Sequence, residues 1–340
     1  MTLSPRAKRF CRSYPNRLPV LKEAAVELEA FVIDSLKGYN FDLHLISARA
    51  KSFASILGKI RRKGYRDPAR RLTDQLGVRV ITYYANDVDR VAVALRARLD
   101  VDESKSIDKR TDLNIQEFGY RSVHLIARLR ESDSMQPNCS KLKRHVFEVQ
   151  IRSILEHAWA EIEHETNYKA GINFPDLYKR RFGAIAGALE ILESQFLVQK
   201  KERDSMIDMY RVTYEKGNDG DVRLDAARLL GLLEARRPLG LSWRQAEMSG
   251  SPFPPRLEAT CVNALAAVGV TTGNQFEQLL KSRRLLAASK EFAGDIGLAP
   301  AEISHLVLCV LAVGLMNHDI LVEEYPELVE DISLRAVLGL

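Results

Sequence analysis

Hydrophobic residues recur with two periods in the first 200 residues, and these periods predict both helices and strands. Spacings of three or four positions predict amphipathic helices over 18–37, 49–63, 86–98, 153–169 and 176–203. The first of them is expected to follow the turn-like sequence Ser13-Tyr14-Pro15-Asn16. Runs rich in β-branched and aromatic residues predict strands over 77–84, 122–129 and 144–152. We therefore expect an α/β or α+β domain over residues 1–203, with a mixed β-sheet flanked by helices.

The strand pattern fades beyond residue 203. A polar run at 216–221 and a proline-rich run at 250–255 separate segments with helical periods. These segments are rich in Leu and Ala and cover 222–236, 257–268, 274–293, 299–316 and 319–337. We therefore expect an all-helical C-terminal region over residues 204–340, whose role the pattern does not indicate.

Composition favours a cytoplasmic globular protein. The 340 residues are 46% hydrophobic and 28% charged, and the longest apolar run, Leu306–Met316, is shorter than the roughly 20 residues that span a bilayer. The basic start lacks the apolar stretch of a signal peptide. The four cysteines are far apart in the sequence and form no CxxC pair, so a thiolate metal site is not expected.

Charge is distributed unevenly along the chain. Residues 241–340 carry seven basic and twelve acidic residues, a net charge of −5. Because the whole chain has a net charge of +5, residues 1–240 have a net charge of +10. Such an excess attracts phosphates, whether nucleotides or nucleic acid carry them, although a solvated surface has the same appearance.

The strand at 144–152 has one polar face. Alternation places Phe147, Val149 and Ile151 in a core and places Glu148, Gln150 and Arg152 together on the opposite face. A carboxylate between an amide and a guanidinium can hold a metal ion or accept a proton from a hydroxyl. A solvated sheet face with a surface ion pair would show the same pattern.

Three other segments carry candidate chemistry. Tyr120 and His124 share one face of the strand at 122–129, where an aromatic ring can stack on a base. Asp74 lies shortly before the strand at 77–84, and Gly77 permits close backbone approach. On the predicted helix 49–63, a basic row can clamp phosphates or simply be solvated; it comprises Arg49, Lys59 and Lys63.

Taken in order, these segments closely resemble the synthetase domain of the RelA/SpoT alarmone synthetases. The resemblance is to a short form without the hydrolase domain and with an added helical region, and it covers residues 18–200. It is carried by Arg49-Ala-Lys-Ser, Lys59, Asp74-Gln-Leu-Gly-Val-Arg79, Gly119-Tyr-Arg-Ser-Val-His124, Glu148-Val-Gln-Ile-Arg152, His157-Ala-Trp-Ala-Glu-Ile-Glu-His164 and Tyr168-Lys169. It implies a nucleotidyltransferase-like fold and an Mg²⁺-dependent GTP pyrophosphokinase.

The resemblance also implies a role for each candidate residue. Transfer of the β,γ-pyrophosphate of ATP to the 3′-hydroxyl of GDP or GTP would yield the alarmone (p)ppGpp. By position, ATP would be bound by Arg49, Lys51, Lys59 and Arg79. The catalytic residues and Mg²⁺ ligands would be Asp74 and Glu148, and Glu148 would also activate the hydroxyl. The acceptor would be bound by Tyr120, His124, Lys109, Arg110, Gln150 and Arg152.

Other interpretations remain open from the sequence alone. Some short relatives are toxins that pyrophosphorylate the 3′ end of tRNA, and the basic N-terminal part permits an RNA acceptor or an adenosine nucleotide. A third hypothesis is an inactive nucleotide-binding or RNA-binding module, against which the intact Asp74 and Glu148 argue. The helical C-terminal region is a candidate for regulation or homo-oligomer formation. Zinc at His157, Glu161 and His164 is not expected, because the spacing differs from HExxH.

Overall fold

The computed structural model describes residues 3–37, 39, 41–108, 122–134, 139–163, 165, 176–217, 221–237, 257–297 and 306–329. The chain divides into two compact units, one of residues 1–36 and 41–197 and the other of residues 37–40 and 198–340. The division lies within a helix, a few residues before the boundary expected after residue 203. Whether each unit is a functional domain stays a prediction.

The first unit is built on a six-stranded sheet with the order β1-β2-β6-β5-β3, in which β4 also pairs with β5. Its strands are β1 Leu43–Ala50, β2 Leu76–Thr82, β3 Leu99–Val101, β4 Ile107–Asp108, β5 Val123–Leu129 and β6 Phe147–Ser153. Strands β2 and β6 are parallel, and the other pairs are antiparallel. The expected mixed sheet flanked by helices is confirmed.

Helices bury one face of this sheet. The helices of the unit are α1 Pro5–Leu36, α2 Phe53–Lys63, α3 Pro68–Arg71, α4 Ala85–Arg98, α5 Glu131–Ser134, α6 Ile154–Glu163 and the first part of α7 Asp176–Glu215. The second half of α1 and the inner side of α4 form a core with the sheet, where Leu28 and Val91 lie with Val78 and Val149. The opposite face of the sheet is left for polar side chains.

The structure corrects the prediction at residues 49–63. Arg49 lies in β1, an edge strand antiparallel to β2, and the helix begins only at Phe53 after the N-cap Ser52. The period-two alternation that places Ile46 and Ala48 against the core extends to Ala50, which the helical pattern concealed. Arg49 therefore does not share a helix face with Lys59.

The prediction of a turn at Ser13–Asn16 was also wrong, because this segment, including Pro15, lies inside α1. A proline removes one helical hydrogen bond, but packing of the surrounding turns outweighs that loss. Tyr14 is fully buried among Phe10, Ile56 and Ile60, so the helix gains a second core against α2.

The second unit is helical in its described residues, apart from one isolated antiparallel bridge between Arg223 and Thr272. It contains the end of α7 and the helices α8 Ala226–Arg236, α9 Glu258–Ala267, α10 Gly273–Leu280, α11 Arg283–Asp295, α12 Leu306–Met316 and α13 His318–Glu323. Helix α12 is its centre, since Leu306–Val313 are at most 2% exposed. Within the described ranges, no helix is both long and apolar enough to cross a membrane.

Several helices in this unit differ from the prediction, and the segment expected over 274–293 is two helices, Gly273–Leu280 and Arg283–Asp295. Helix α7 continues to Glu215, beyond the expected residue 203, and Gly217 follows with a φ of 77°. The helix expected over 319–337 ends at Glu323, and Pro326 begins a short 3₁₀ turn. The residue before a proline disfavours the α conformation, which accounts for the early end.

Candidate active site

The open face of the sheet carries the polar row that alternation predicted on β6. Phe147, Val149 and Ile151 are fully buried in the core, whereas Glu148 and Gln150 face the other way and line a pocket of about 160 Å³. Gly77 on β2 pairs with Glu148, and a Cβ there would lie 3.3 Å from the carbonyl oxygen of Glu148. The absence of a side chain at Gly77 thus avoids a tight contact with the backbone of β6 beside Glu148.

Asp74 lies just before β2 and accepts two ammonium groups on one oxygen. Lys51 Nζ contacts its Oδ2, and Lys59 Nζ lies 2.7 Å from the same atom. Its Oδ1 is buried and has no hydrogen-bond partner among the described residues. Burial alone raises the pKa of Asp74, but the two ammonium groups outweigh burial and hold the pKa below its ordinary value. Asp74 is therefore ionised at neutral pH.

Glu148 is held by hydrogen bonds at both carboxylate oxygens. Its Oε1 lies 2.7 Å from Nδ1 of His124, and its Oε2 accepts a 2.9 Å bond from Nε2 of Gln150. Burial and the nearby Asp74 charge raise the pKa of Glu148, but the contacts with His124 and Gln150 outweigh them and lower the pKa overall. Glu148 is therefore a partly buried, ionised and oriented carboxylate.

The hydrogen bonds continue on both sides of Glu148. Arg152 Nη2 donates to Oε1 of Gln150 at 2.5 Å, and the hydroxyl of Ser122 lies 2.6 Å from Nε2 of His124. Strands β5 and β6 pair His124 with Gln150, so the strand register places these groups side by side. The result is one chain of polar groups across two strands.

Two arginines border the pocket on the β1 and β2 side. The guanidinium of Arg79 forms a 2.9 Å ion pair with Glu161 on α6. Burial and the charge of Arg79 lower the pKa of Arg49, so the two guanidinium groups interact electrostatically. The pocket thus brings together basic and acidic side chains from β1, β2, β6 and α6, and its lining includes Leu45, Ser47, Arg49, Lys51, Asp74, Gly77, Val78, Arg79, Glu148, Gln150 and His157.

Comparison with known proteins identifies the family. A profile of the region found in RelA/SpoT proteins matches residues 48–173. GTP pyrophosphokinase YjbM of Bacillus subtilis strain 168 is 31% identical over 197 residues, which are 55% of this chain and 85% of that protein. The chain belongs to the RelA/SpoT family.

Two further proteins are similar to this chain. GTP pyrophosphokinase YwaC of the same strain is 29% identical over 208 residues, covering 58% of this chain and 95% of the relative. The crystal structure of small alarmone synthetase 1 from Bacillus subtilis bound to its product pppGpp is 27% identical, covers 56% of this chain and 98% of that chain, and gives a TM-score of 0.46.

The structure brings most of the predicted RelA/SpoT site residues together. Those on the open face or at its edge are Arg49, Lys51, Lys59, Asp74, Arg79, His124, Glu148, Gln150 and Arg152. Lys109, Arg110 and Tyr120 lie outside the described residues. The individual roles of all these residues stay predictions.

Tyr14 is a site-supporting residue that the sequence analysis missed. Its hydroxyl donates a 2.6 Å hydrogen bond to the carbonyl oxygen of Lys51, and burial raises the pKa of Tyr14 to about 12. The tyrosine therefore remains protonated and fixes the backbone that carries Lys51. No local signal marked it, because the contact joins residues 37 positions apart.

His157 on α6 lines the pocket and lies near Glu161, but the two do not form a metal centre with other described side chains. Nδ1 of His157 lies 3.8 Å from Oε1 of Glu161, and His164 lies outside the described residues. Burial and the Arg152 charge lower the pKa of His157. Within the described ranges, no group of three or more His, Cys, Asp or Glu residues is arranged to hold a metal ion.

Proposed function

We propose that this chain transfers the β,γ-pyrophosphate of ATP to the 3′-hydroxyl of GDP or GTP and so makes (p)ppGpp. The observation that carries the proposal is the pair of ionised carboxylates, Asp74 and Glu148, that line one pocket with basic side chains. The two relatives named GTP pyrophosphokinase support this reaction and acceptor class.

Arg49 and Arg79 would bind the adenine of ATP between their guanidinium groups. They extend from neighbouring strands and lie close enough to repel each other electrostatically, and guanidinium groups stack well on aromatic rings. Lys51 and Lys59 would hold the phosphates, because their ammonium groups already converge on one oxygen of Asp74. The donor would thus lie along the β1 and β2 side of the pocket.

Asp74 and Glu148 would hold Mg²⁺, and the site fits such a cation. The buried Oδ1 of Asp74 has no hydrogen-bond partner among the described residues, and Glu148 is ionised beside it. Mg²⁺ commonly takes one or two carboxylates together with substrate phosphates. When bound, the cation would neutralise phosphate charge.

Glu148 would also accept the proton of the attacking hydroxyl. The acceptor 3′-oxygen forms a bond to the β-phosphorus of ATP, the bond from that phosphorus to the α,β-bridging oxygen breaks, and AMP leaves. The lowered pKa keeps Glu148 ready to accept a proton at neutral pH, but it also makes Glu148 a weak base. Transfer is therefore favoured only when bond formation has made the hydroxyl more acidic.

The acceptor would lie on the β5 and β6 side of the same face. Gln150 and Arg152 border Glu148 there, and both are already linked by a hydrogen bond. Tyr120 would stack on guanine, with Lys109, Arg110 and His124 near the acceptor phosphates. Both ring nitrogens of His124 are within hydrogen-bond distance of protein groups. To bind a phosphate, His124 would therefore have to replace one of these contacts with a contact to the phosphate.

The deciding experiment uses ATP labelled on its γ-phosphate, with Mg²⁺ and one acceptor at a time. We expect labelled product with GDP and GTP, and little with adenosine nucleotides or bulk tRNA. If only tRNA became labelled, tRNA would be the acceptor instead of GDP or GTP. If no acceptor became labelled, the enzyme hypothesis would be rejected.

The tRNA alternative has one observation in its favour, a set of exposed cations on α1 that comprises Arg6, Lys8, Arg9 and Arg12. A tRNA acceptor would displace many counterions, so activity would fall steeply between about 50 and 200 mM salt. A nucleotide acceptor engages few cations and predicts a shallow response. A role of the second unit in regulation or self-association is a separate proposal, which a truncation after residue 203 would test.

A further inference from the structure

We propose that Ser122 is a positioning residue that fixes the hydrogen-bonding orientation of His124 and, through it, the carboxylate of Glu148. The inference rests on the proposed function, in which Glu148 acts on the acceptor hydroxyl. Ser122 is fully buried, and its hydroxyl lies 2.6 Å from Nε2 of His124. The other ring nitrogen, Nδ1, lies 2.7 Å from Oε1 of Glu148.

Arg152, at the end of this series of hydrogen bonds opposite Ser122, sets which group donates in each bond. The guanidinium of Arg152 can only donate hydrogen bonds, so the amide oxygen of Gln150 must accept the bond between them. The amide nitrogen of Gln150 then donates to Oε2 of Glu148. An ionised carboxylate can only accept, so Nδ1 of His124 must carry a proton toward Oε1. Both neighbours therefore donate to Glu148.

The contacts with Glu148 and Ser122 are compatible with two states of His124. In the neutral ring with hydrogen on Nδ1, Nε2 accepts and Ser122 donates to it. In the protonated ring, both nitrogens donate and Ser122 accepts. The remaining neutral tautomer directs the lone pair of Nδ1 at the carboxylate, which is unfavourable. A serine hydroxyl both donates and accepts, so Ser122 satisfies Nε2 in either permitted state.

Removing the hydroxyl would release this restriction. In Ser122→Ala, Nε2 loses its 2.6 Å contact with the Ser122 hydroxyl, and a ring that rotates or changes tautomer to replace this contact also loses the bond to Glu148. The carboxylate would then adopt several orientations, although its charge remains. Because Lys51, Lys59 and Asp74 lie on other elements, ATP binding should be unaffected.

The test compares Ser122→Ala, Ser122→Thr and Ser35→Ala in the full chain. Ser35 is a matched control, because it is also a buried serine, and its hydroxyl donates a 2.7 Å bond to the carbonyl oxygen of Phe31 within α1. The readouts are kcat and KM for both nucleotides, and the ¹⁵N chemical shifts of the His124 ring nitrogens, assigned with His124→Gln.

We expect Ser122→Ala to lower kcat by about tenfold or more, with the KM for ATP changed less than twofold. The ¹⁵N shifts should show a smaller population protonated at Nδ1. Ser122→Thr should restore both readouts, and Ser35→Ala should change neither.

Unchanged shifts and kcat in Ser122→Ala would overturn the inference, as would an equal loss in Ser35→Ala. If Ser122→Thr fails to fold because its extra methyl group crowds the buried site, the ¹⁵N shifts of Ser122→Ala and Ser35→Ala still decide. Absence of transfer by the unaltered protein would refute the proposed function, whereas the ring-nitrogen shifts would still report on Ser122 and His124.

Discussion

Replacing Glu148 with Gln tests the proposed base while keeping the size of the side chain. The glutamine can still accept a hydrogen bond from Gln150 through its oxygen. Its amide nitrogen would then face Nδ1 of His124, and the two can bond only if His124 moves its proton to Nε2 and donates to Ser122. The variant can therefore form a hydrogen bond at each of these positions and should fold.

The structure separates the effect on stability from the effect on turnover. Rearranging this hydrogen-bond chain should cost about 1–3 kcal/mol of unfolding free energy at most. General-base catalysis contributes about 10²- to 10⁴-fold to rate, and loss of a metal ligand adds to it. We therefore expect kcat to fall at least about a hundredfold, with the thermal transition of the protein retained.

The assay is transfer of label from γ-labelled ATP to GDP, with thermal unfolding measured in parallel. Glu161→Gln is a matched control, since Glu161 is a half-exposed carboxylate near the pocket that pairs with Arg79. It should raise the KM for ATP only a few-fold, because a pair this exposed is worth about 0–1 kcal/mol. Turnover of Glu148→Gln within tenfold of the unaltered protein would refute the assignment of Glu148.

Three other changes probe the site. Asp74→Asn should lower the free energy of unfolding by about 1–3 kcal/mol at pH 7. Because the folded-state pKa of Asp74 is lowered, the difference should shrink as the pH falls below about 4, as urea titrations at several pH values would show. Tyr14→Phe should cost about 1 kcal/mol of stability and raise the KM for ATP a few-fold, since Lys51 loses its backbone anchor. Tyr120→Ala should raise the KM for GDP about tenfold while the KM for ATP barely moves, and an equal rise for both would assign Tyr120 to the scaffold.

The strands that carry the acidic and amide groups could be predicted because their signal is local. In β6, Phe147, Val149 and Ile151 alternate strictly with Glu148 and Gln150, and burial follows this alternation. A period of two places side chains on opposite faces whatever the rest of the chain does. The polar face of the site was therefore visible in a single segment.

The positions of Arg49 and Tyr14 could not be predicted in the same way. Arg49 lies in an edge strand whose pairing with β2 is a contact across the sequence, while the residues after it have a genuine helical pattern. Tyr14 lies in a helix that contains Pro15 and is stabilised by packing against α2. In both cases tertiary packing overrode the local preference.

The contacts of Asp74 connect the basic and acidic parts of the pocket. Lys51 and Lys59 are directed at the carboxylate, and phosphate oxygens would compete with it for the same ammonium groups. Once the lysines turn to phosphates, the buried Asp74 loses its partners, and an unpaired buried carboxylate is strongly unfavourable. In the proposed function, a divalent cation held by Asp74 and Glu148 would remove that penalty by neutralising the carboxylate charge. We therefore expect Asp74 to order Lys51 and Lys59 before ATP binds and to favour a metal-bound nucleotide over a free one.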